Sequence, residues 1–162
     1  MPGALGTTAL PLWPALLFSY LEPISLVIGA HAATTSPSNF VTSQVPSYDS
    51  ADFVTPAVII LAYTLGSLFL LLAGYALTCT VLTKDANVTK YYLMFAACGD
   101  VGHLAANYAG MEDKIFWAWR DWNEVMWGNI AITVFLLVNR LATLGWVFGR
   151  PGWAMVEQQK VV

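Results

Sequence analysis

Apolar residues fall in four long runs, Leu12 to His31, Pro56 to Leu82, Lys90 to Ala109 and Val125 to Phe148, with polar segments between them. Each run, wound as a helix, is long enough to cross a hydrocarbon core of about 30 Å, which takes about 20 residues. Backbone groups in lipid must be paired within their own segment, so the runs are expected to be helices and not open strands. The second run is the longest and is expected to tilt or to extend past the membrane surface. The pattern predicts an all-α membrane protein: a four-transmembrane-helix bundle with a polar interior layer. It forms a single integral domain over residues 1–162, with spans at about 12–31, 56–82, 90–109 and 125–148.

The connections differ in character. His31 to Thr55 is rich in Ser, Thr, Pro and Asn and has no Lys or Arg. Its aromatics Phe40, Tyr48 and Phe53 raise the alternative of a lid over the helix ends, but a plain polar loop is the preferred reading. Thr83 to Thr89 is short, which makes the second and third helices antiparallel neighbours. Met111 to Glu124 mixes Phe116, Trp117, Trp119 and Trp122 with charges, the composition of an interfacial segment. The first run lacks a basic leader, and Glu22-Pro23 interrupts it, so it is read as an uncleaved span and not a signal peptide. Basic residues set the orientation. Termini on the cytosolic side place Lys84, Lys90, Arg150 and Lys160 there and leave Lys114 and Arg120 on the far side.

Composition sharpens this picture. The chain is 57% hydrophobic and 10% charged, with seven Lys+Arg against ten Asp+Glu and a net charge of -3. A nucleic-acid binder needs a cationic surface, so that class is excluded. A disordered chain would be polar and charged. A soluble globule needs more charge to coat its surface. Cys79 and Cys98 both lie in apolar runs and form neither a disulfide framework nor a zinc motif.

Ionisable groups inside spans are costly and by default mark function. Glu22, Asp100, His103 and Arg140 are of this kind. On the third run Ala96, Asp100, His103, Asn107 and Gly110 recur at helical spacing on one face. Ser19, Glu22, Ser25 and Gly29 form a similar stripe on the first run. So do Tyr63, Ser67, Gly74 and Thr78 on the second, and Asn129, Thr133, Arg140 and Thr143 on the fourth. At about 1.5 Å per residue, Glu22, Asp100, His103 and Arg140 reach one layer near mid-span. The plainer reading is that Asp100 and Arg140 neutralise each other and hold helices together, with Glu22 protonated.

The functional reading of the layer is acid–base chemistry on a lipophilic molecule. A low dielectric favours the neutral form of a carboxyl group, so Glu22 is a candidate proton donor to an alkene, epoxide or carbonyl. Asp100, paired with Arg140 or His103, stays ionised, and His103 serves as base or stabilises an oxyanion. Glu22, Asp100 and His103 are therefore the expected catalytic residues. Asn107, Trp127, Asn129 and Arg140 are the expected substrate contacts, to which the family likeness described below adds Asn123. Trp122, Trp127, Tyr91 and Tyr92 are expected to anchor the interface, with walling the cavity or facing a cation as the alternative. No phosphate loop is present, since Gly99-Asp100-Val101-Gly102 sits within a helix. No metal is expected, because too few ligands converge; the cofactor is left unknown.

Three patches carry a family likeness: Tyr20-Leu21-Glu22-Pro23-Ile24-Ser25, Gly99-Asp100-Val101-Gly102-His103-Leu104, and Trp122-Asn123 with Trp127-Gly128-Asn129. In order and spacing the chain resembles a family of small four-span fungal membrane proteins, known mainly as a domain of unknown function. The resemblance implies a fungal origin. It also implies a tailoring role beside polyketide and polyketide–peptide biosynthesis, with epoxidase or cyclase activity suggested. The residues it carries over are Glu22, Asp100, His103, Asn123 and Asn129. A weaker, architectural likeness is to the emopamil-binding type of sterol isomerase, and fold does not establish function.

The leading expectation is thus a membrane-embedded enzyme of fungal secondary metabolism. Its substrate is a lipophilic polyene or polyketide-type intermediate, changed by epoxidation or by acid–base cyclisation or isomerisation. The alternative is a non-catalytic lipid- or sterol-binding or transport-accessory protein; a third is an assembly subunit held by the polar stripes. The expected partners are the bilayer, a lipophilic small molecule, and further copies or pathway enzymes, with no nucleic acid. The endoplasmic reticulum is the expected membrane.

Overall fold

A computed structural model of the chain describes residues 8–45, 54–111 and 113–153. Its helices are α1 (Leu12–Thr35), α2 (Pro37–Thr42), α3 (Pro56–Leu82), α4 (Ala86–Gly110), α5 (Asp113–Phe116) and α6 (Glu124–Leu144). No strand occurs among the described residues. By length and composition α1, α3 and α6 are apolar enough to cross a membrane. The third apolar run, expected as a span, becomes α4. At 25 residues it has the length, but Asp100, His103 and Asn107 lower its apolarity, so three helices and not four qualify on composition.

Local chemistry explains the helix ends. Thr55 caps α3 by accepting the Val58 N–H at 3.4 Å, with Pro56 in the first helical position. Asp85 caps α4 by accepting from the Asn87 N–H at 2.8 Å. That cap starts the helix at Ala86, earlier than the apolar run alone indicates. α6 stops at Leu144, short of Phe148, where Trp146 takes a left-handed φ of 64° and the Val147 N–H closes back on the Ala142 carbonyl at 2.9 Å.

Three long helices contain a π turn, at Leu17–Leu21, Thr78–Leu82 and Trp127–Ile132. In the first, the Glu22 N–H bonds the Leu17 carbonyl, five residues back. Pro23 follows at once. It has no N–H to return to the preceding turn, and the change of register sits directly upstream of it.

α1 lies along α3, and small side chains let the two backbones approach: Ala30, Ala33, Ala62, Gly66, Ala73 and Ala76 are all buried. Gly66 is the tightest point. A Cβ there would stand 2.8 Å from Thr34 Cγ2 and 3.3 Å from the Ala30 carbonyl oxygen. Gly66→Leu is expected to lower stability by about 1–3 kcal/mol through overpacking, read as a lower Tm of the detergent-solubilised protein. Gly74 lies on the same helix, and a Cβ there would meet nothing within 4 Å. Gly74→Leu is therefore expected to leave Tm nearly unchanged.

α4 lies along α6. At the end where α1 begins, Leu10, Leu17, Phe18, Leu93 and Trp153 form a buried core. The Trp13 Nε1–H donates to Asn139 Oδ1 at 2.8 Å, joining α1 to α6, and the Gly152 N–H donates to the Ala9 carbonyl at 2.7 Å. The tight connection brings α3 and α4 together at their turn, as its length requires. Beyond the turn they separate around a cavity that both line.

The His31–Thr55 connection is more than a plain polar loop. α2 lies against α3, with the Phe40 ring edge-on to Phe69 at 6.5 Å. Tyr48 and Phe53, the other aromatics of the lid alternative, lie outside the described residues. Between α4 and α6, Phe116 meets Tyr108, Trp117 and Trp122 edge-on, and Trp122 meets Trp127, so the aromatic segment forms one cluster.

Candidate functional site

α1, α4 and α6 bring three charges to one point. Arg140, on the buried face of α6, is 1% exposed. Its Nη2 binds Glu22 from α1 and its Nη1 binds Asp100 from α4. The side chains of Glu22 and Asp100 are 10% and 13% exposed. The Phe18 ring lies beneath the guanidinium, 5.1 Å from Cζ. Tyr92 and Arg140 line the same cavity. Taking such charges out of water costs several kcal/mol per ion by a general order-of-magnitude argument, about what paired, charge-assisted bonds can offset.

Two atoms of the cluster are buried with no partner in the structure, Glu22 Oε2 and Arg140 Nε, and Ser19 Oγ is a third such atom one turn before Glu22. Glu22 thus uses one carboxylate oxygen for the ion pair and keeps the other unoccupied.

The cluster closes the polar end of a cavity of about 520 Å³. Glu22, His103, Thr133 and Arg140 supply its polar lining. The remaining walls are apolar and aromatic, including Phe69 and Tyr75 of α3 and Tyr92 and Phe95 of α4. That size and lining suit a lipophilic small molecule held by a few polar groups. Several wall residues, among them Leu68, Leu72, Tyr75 and Phe95, are themselves exposed along the middle of their helices. The cavity therefore opens sideways through the apolar flank of the bundle. Asp100 is not part of the lining and reaches the site through the guanidinium.

The other residues singled out in the sequence fall in different places. His103 is exposed, lines the cavity one turn beyond Asp100, and faces the Asn129 backbone. Asn107 donates to the His103 carbonyl at 2.9 Å, a bond within its own helix. Trp127 packs edge-on against Trp122 at 5.2 Å. Asn123 caps α6, accepting from the Met126 N–H at 2.9 Å, and donates to the Ser43 carbonyl at 2.9 Å. Asn129 donates to the Gln44 side chain. Asn107, Trp127, Asn123 and Asn129 do not line the cavity. Asn123 and Asn129 tie the segment after α2 to the start of α6.

Asn123→Ala removes a helix cap and one of these ties, and is expected to cost about 1 kcal/mol of stability. Hydrogen exchange should quicken over residues 37–45. A change of ligand affinity in the folded variant without that quickening would assign Asn123 to the ligand instead.

Tyr92 lines the cavity beside the ion cluster, the alternative its sequence position offers to interface anchoring, on the stripe that runs back from Asp100 through Ala96. Phe18 completes the guanidinium's surroundings and is absent from the sequence-derived site. Phe18 carried no such signal, because an apolar residue on an apolar run looks like core. Among the described residues, no three His, Cys, Asp or Glu side chains converge as a metal site requires.

No curated protein and no solved structure matches the chain. A model of the family described as a domain of unknown function, DUF7704, matches residues 7–150, a stretch that holds all four long helices, the ion cluster and the cavity, and the chain belongs to that family.

Proposed function

We propose that the protein is a four-span membrane enzyme that performs acid–base chemistry on a lipophilic polyene or polyketide-type molecule held in the α3–α4 cavity. α4 is the fourth span in this reading, its polar residues turned to the bundle's interior layer. The basic residues favour cytosolic termini, and the endoplasmic reticulum is the proposed membrane. The observation that carries the proposal is Glu22. Its carboxyl group lines an apolar, ligand-sized cavity, is fixed by Arg140 through one oxygen, and leaves Oε2 buried without a partner. A buried unpaired polar atom is costly unless something it binds is missing.

In mechanism, Oε2 is the atom that gives a proton to the substrate or takes one from carbon. Arg140 holds Glu22 in position and stabilises the carboxylate that remains after the proton leaves. Asp100 orients Arg140 from the opposite fork. The apolar walls exclude water and favour ring closure or isomerisation over hydration. The resemblance to proposed epoxidase or cyclase tailoring proteins supports the substrate class. Epoxidation is the second reading; its product is heavier than the precursor by one oxygen, and that step takes an external oxidant, dioxygen with a two-electron reductant, because acid–base side chains cannot supply the oxygen atom.

Comparative mass spectrometry of lipophilic extracts tests both. The strains are the native host, its deletion, and the deletion complemented with wild type, Glu22→Gln or Asp100→Asn. The expected result is accumulation of a precursor isomeric with the lost product, with the product restored by wild type, not by Glu22→Gln, and only in part by Asp100→Asn. Identical metabolites in all strains would move the assignment to a binding or transport-accessory protein.

A further inference from the structure

Glu22 and Asp100 share a single guanidinium, and among the described residues the ion pairs of both are with Arg140. With His103 neutral, two carboxylates against one guanidinium leave one negative charge in excess. An uncompensated charge in a low-dielectric layer is unfavourable. The balance is restored by one positive charge, either a proton or a ligand that brings its own. The space for such a ligand is already present. Glu22 Oε2 is buried without a partner, on a side chain only 10% exposed that lines the cavity. Phe69, Tyr75, Tyr92 and Phe95 line the same space, and aromatic rings attract cations most strongly where water is excluded.

We propose that the cavity is a binding site for lipophilic cations: a protonated amine seats its head against Glu22 Oε2, between the ion cluster and the aromatic walls, and lays its hydrocarbon tail along the leucines of α3. Asp100 contributes through charge alone, since it supplies half of the excess without touching the ligand. The inference rests on the reading of the cavity as a ligand site. It adds that the site is matched to positive charge, including the charge a substrate gains on accepting a proton.

The test is equilibrium binding of N,N-dimethyldecylamine to the full chain in zwitterionic-lipid nanodiscs. The neutral counterpart is N,N-dimethyldecanamide, and empty nanodiscs correct for partitioning. Binding is read near pH 8, about 1.5 units above the ordinary imidazole value, so that His103 is uncharged. Wild type is expected to bind the amine at least about tenfold more tightly than the amide. Glu22→Gln and Asp100→Asn are each expected to erase that preference while keeping amide binding. Retained amide binding shows that each variant is folded. Equal affinity of wild type for amine and amide overturns the proposal and leaves the acid–base reading standing. Absence of saturable binding of either probe overturns it too, and removes the cavity from both readings. The wild-type comparison decides the matter even where a variant fails to fold.

Discussion

Arg140→Leu is expected to be the most damaging single substitution in the chain, lowering stability by about 3–5 kcal/mol, because it leaves two buried carboxylates facing each other with no cation between them. Among the described residues, Arg140 is the one that pairs with both Glu22 and Asp100, so its loss uncouples α1, α4 and α6 together. The outcome is measurable as loss of folded protein on size-exclusion chromatography after mild solubilisation. The triple change Glu22→Gln, Asp100→Asn, Arg140→Gln removes every charge of the cluster and is expected to restore most of the folded yield. It should not restore turnover. If the triple variant supports full conversion, the cluster is a helix clamp and nothing more, and the catalytic reading fails.

Glu22→Gln carries the second largest effect, on rate and not on folding. The amide keeps the size of the side chain and one oxygen for Arg140, so the bundle is expected to assemble with a Tm close to wild type. It cannot hold or release the proton at Oε2. Loss of a positioned general acid or base lowers turnover by about 10²–10⁴-fold. Asp100→Asn is expected to fall short of that, because Asp100 is outside the cavity lining and acts through the guanidinium. The ranking of the two variants in conversion of the accumulated precursor separates the group that meets substrate from the group that positions it. Equal and severe losses, with equally reduced Tm, would instead assign both to architecture.

Much of this site was legible in the sequence, since a charge within an apolar run announces itself and helical rise fixes its depth. Those grounds put Glu22, Asp100, His103 and Arg140 in one layer; the first two meet at Arg140, while His103 lines the cavity outside the ion cluster. The plainer expectation paired Asp100 with Arg140 and left Glu22 apart; a guanidinium has two forks, and both are used. The four long helices were readable from hydrophobicity, but their ends were not. Asp85 starts α4 through a side-chain cap and Trp146 ends α6 through a left-handed backbone, and apolarity reports neither. The π turns were equally hidden, because a change from four- to five-residue hydrogen bonding alters no side chain. The parting of α3 and α4 beyond their short turn was also invisible. Loop length fixes where two helices meet, whereas what each packs against afterwards depends on other helices. Asn123 and Asn129 are expected as ligand contacts on the family likeness, and Asn129 also on its polar stripe; neither lines the cavity. Their partners Ser43 and Gln44 are about eighty positions away in the chain, and no spacing rule connects them.

The sideways mouth of the cavity changes what concentration means for this protein. With α4 as the proposed fourth span, a ligand entering between α3 and α4 is expected to come from the acyl-chain region without crossing the aqueous phase. Saturation is then governed by the mole fraction of ligand among the lipids. Diluting the membrane with inert phospholipid, at constant ligand and protein, slows the reaction as surface dilution, whereas diluting the whole suspension with buffer leaves it unchanged.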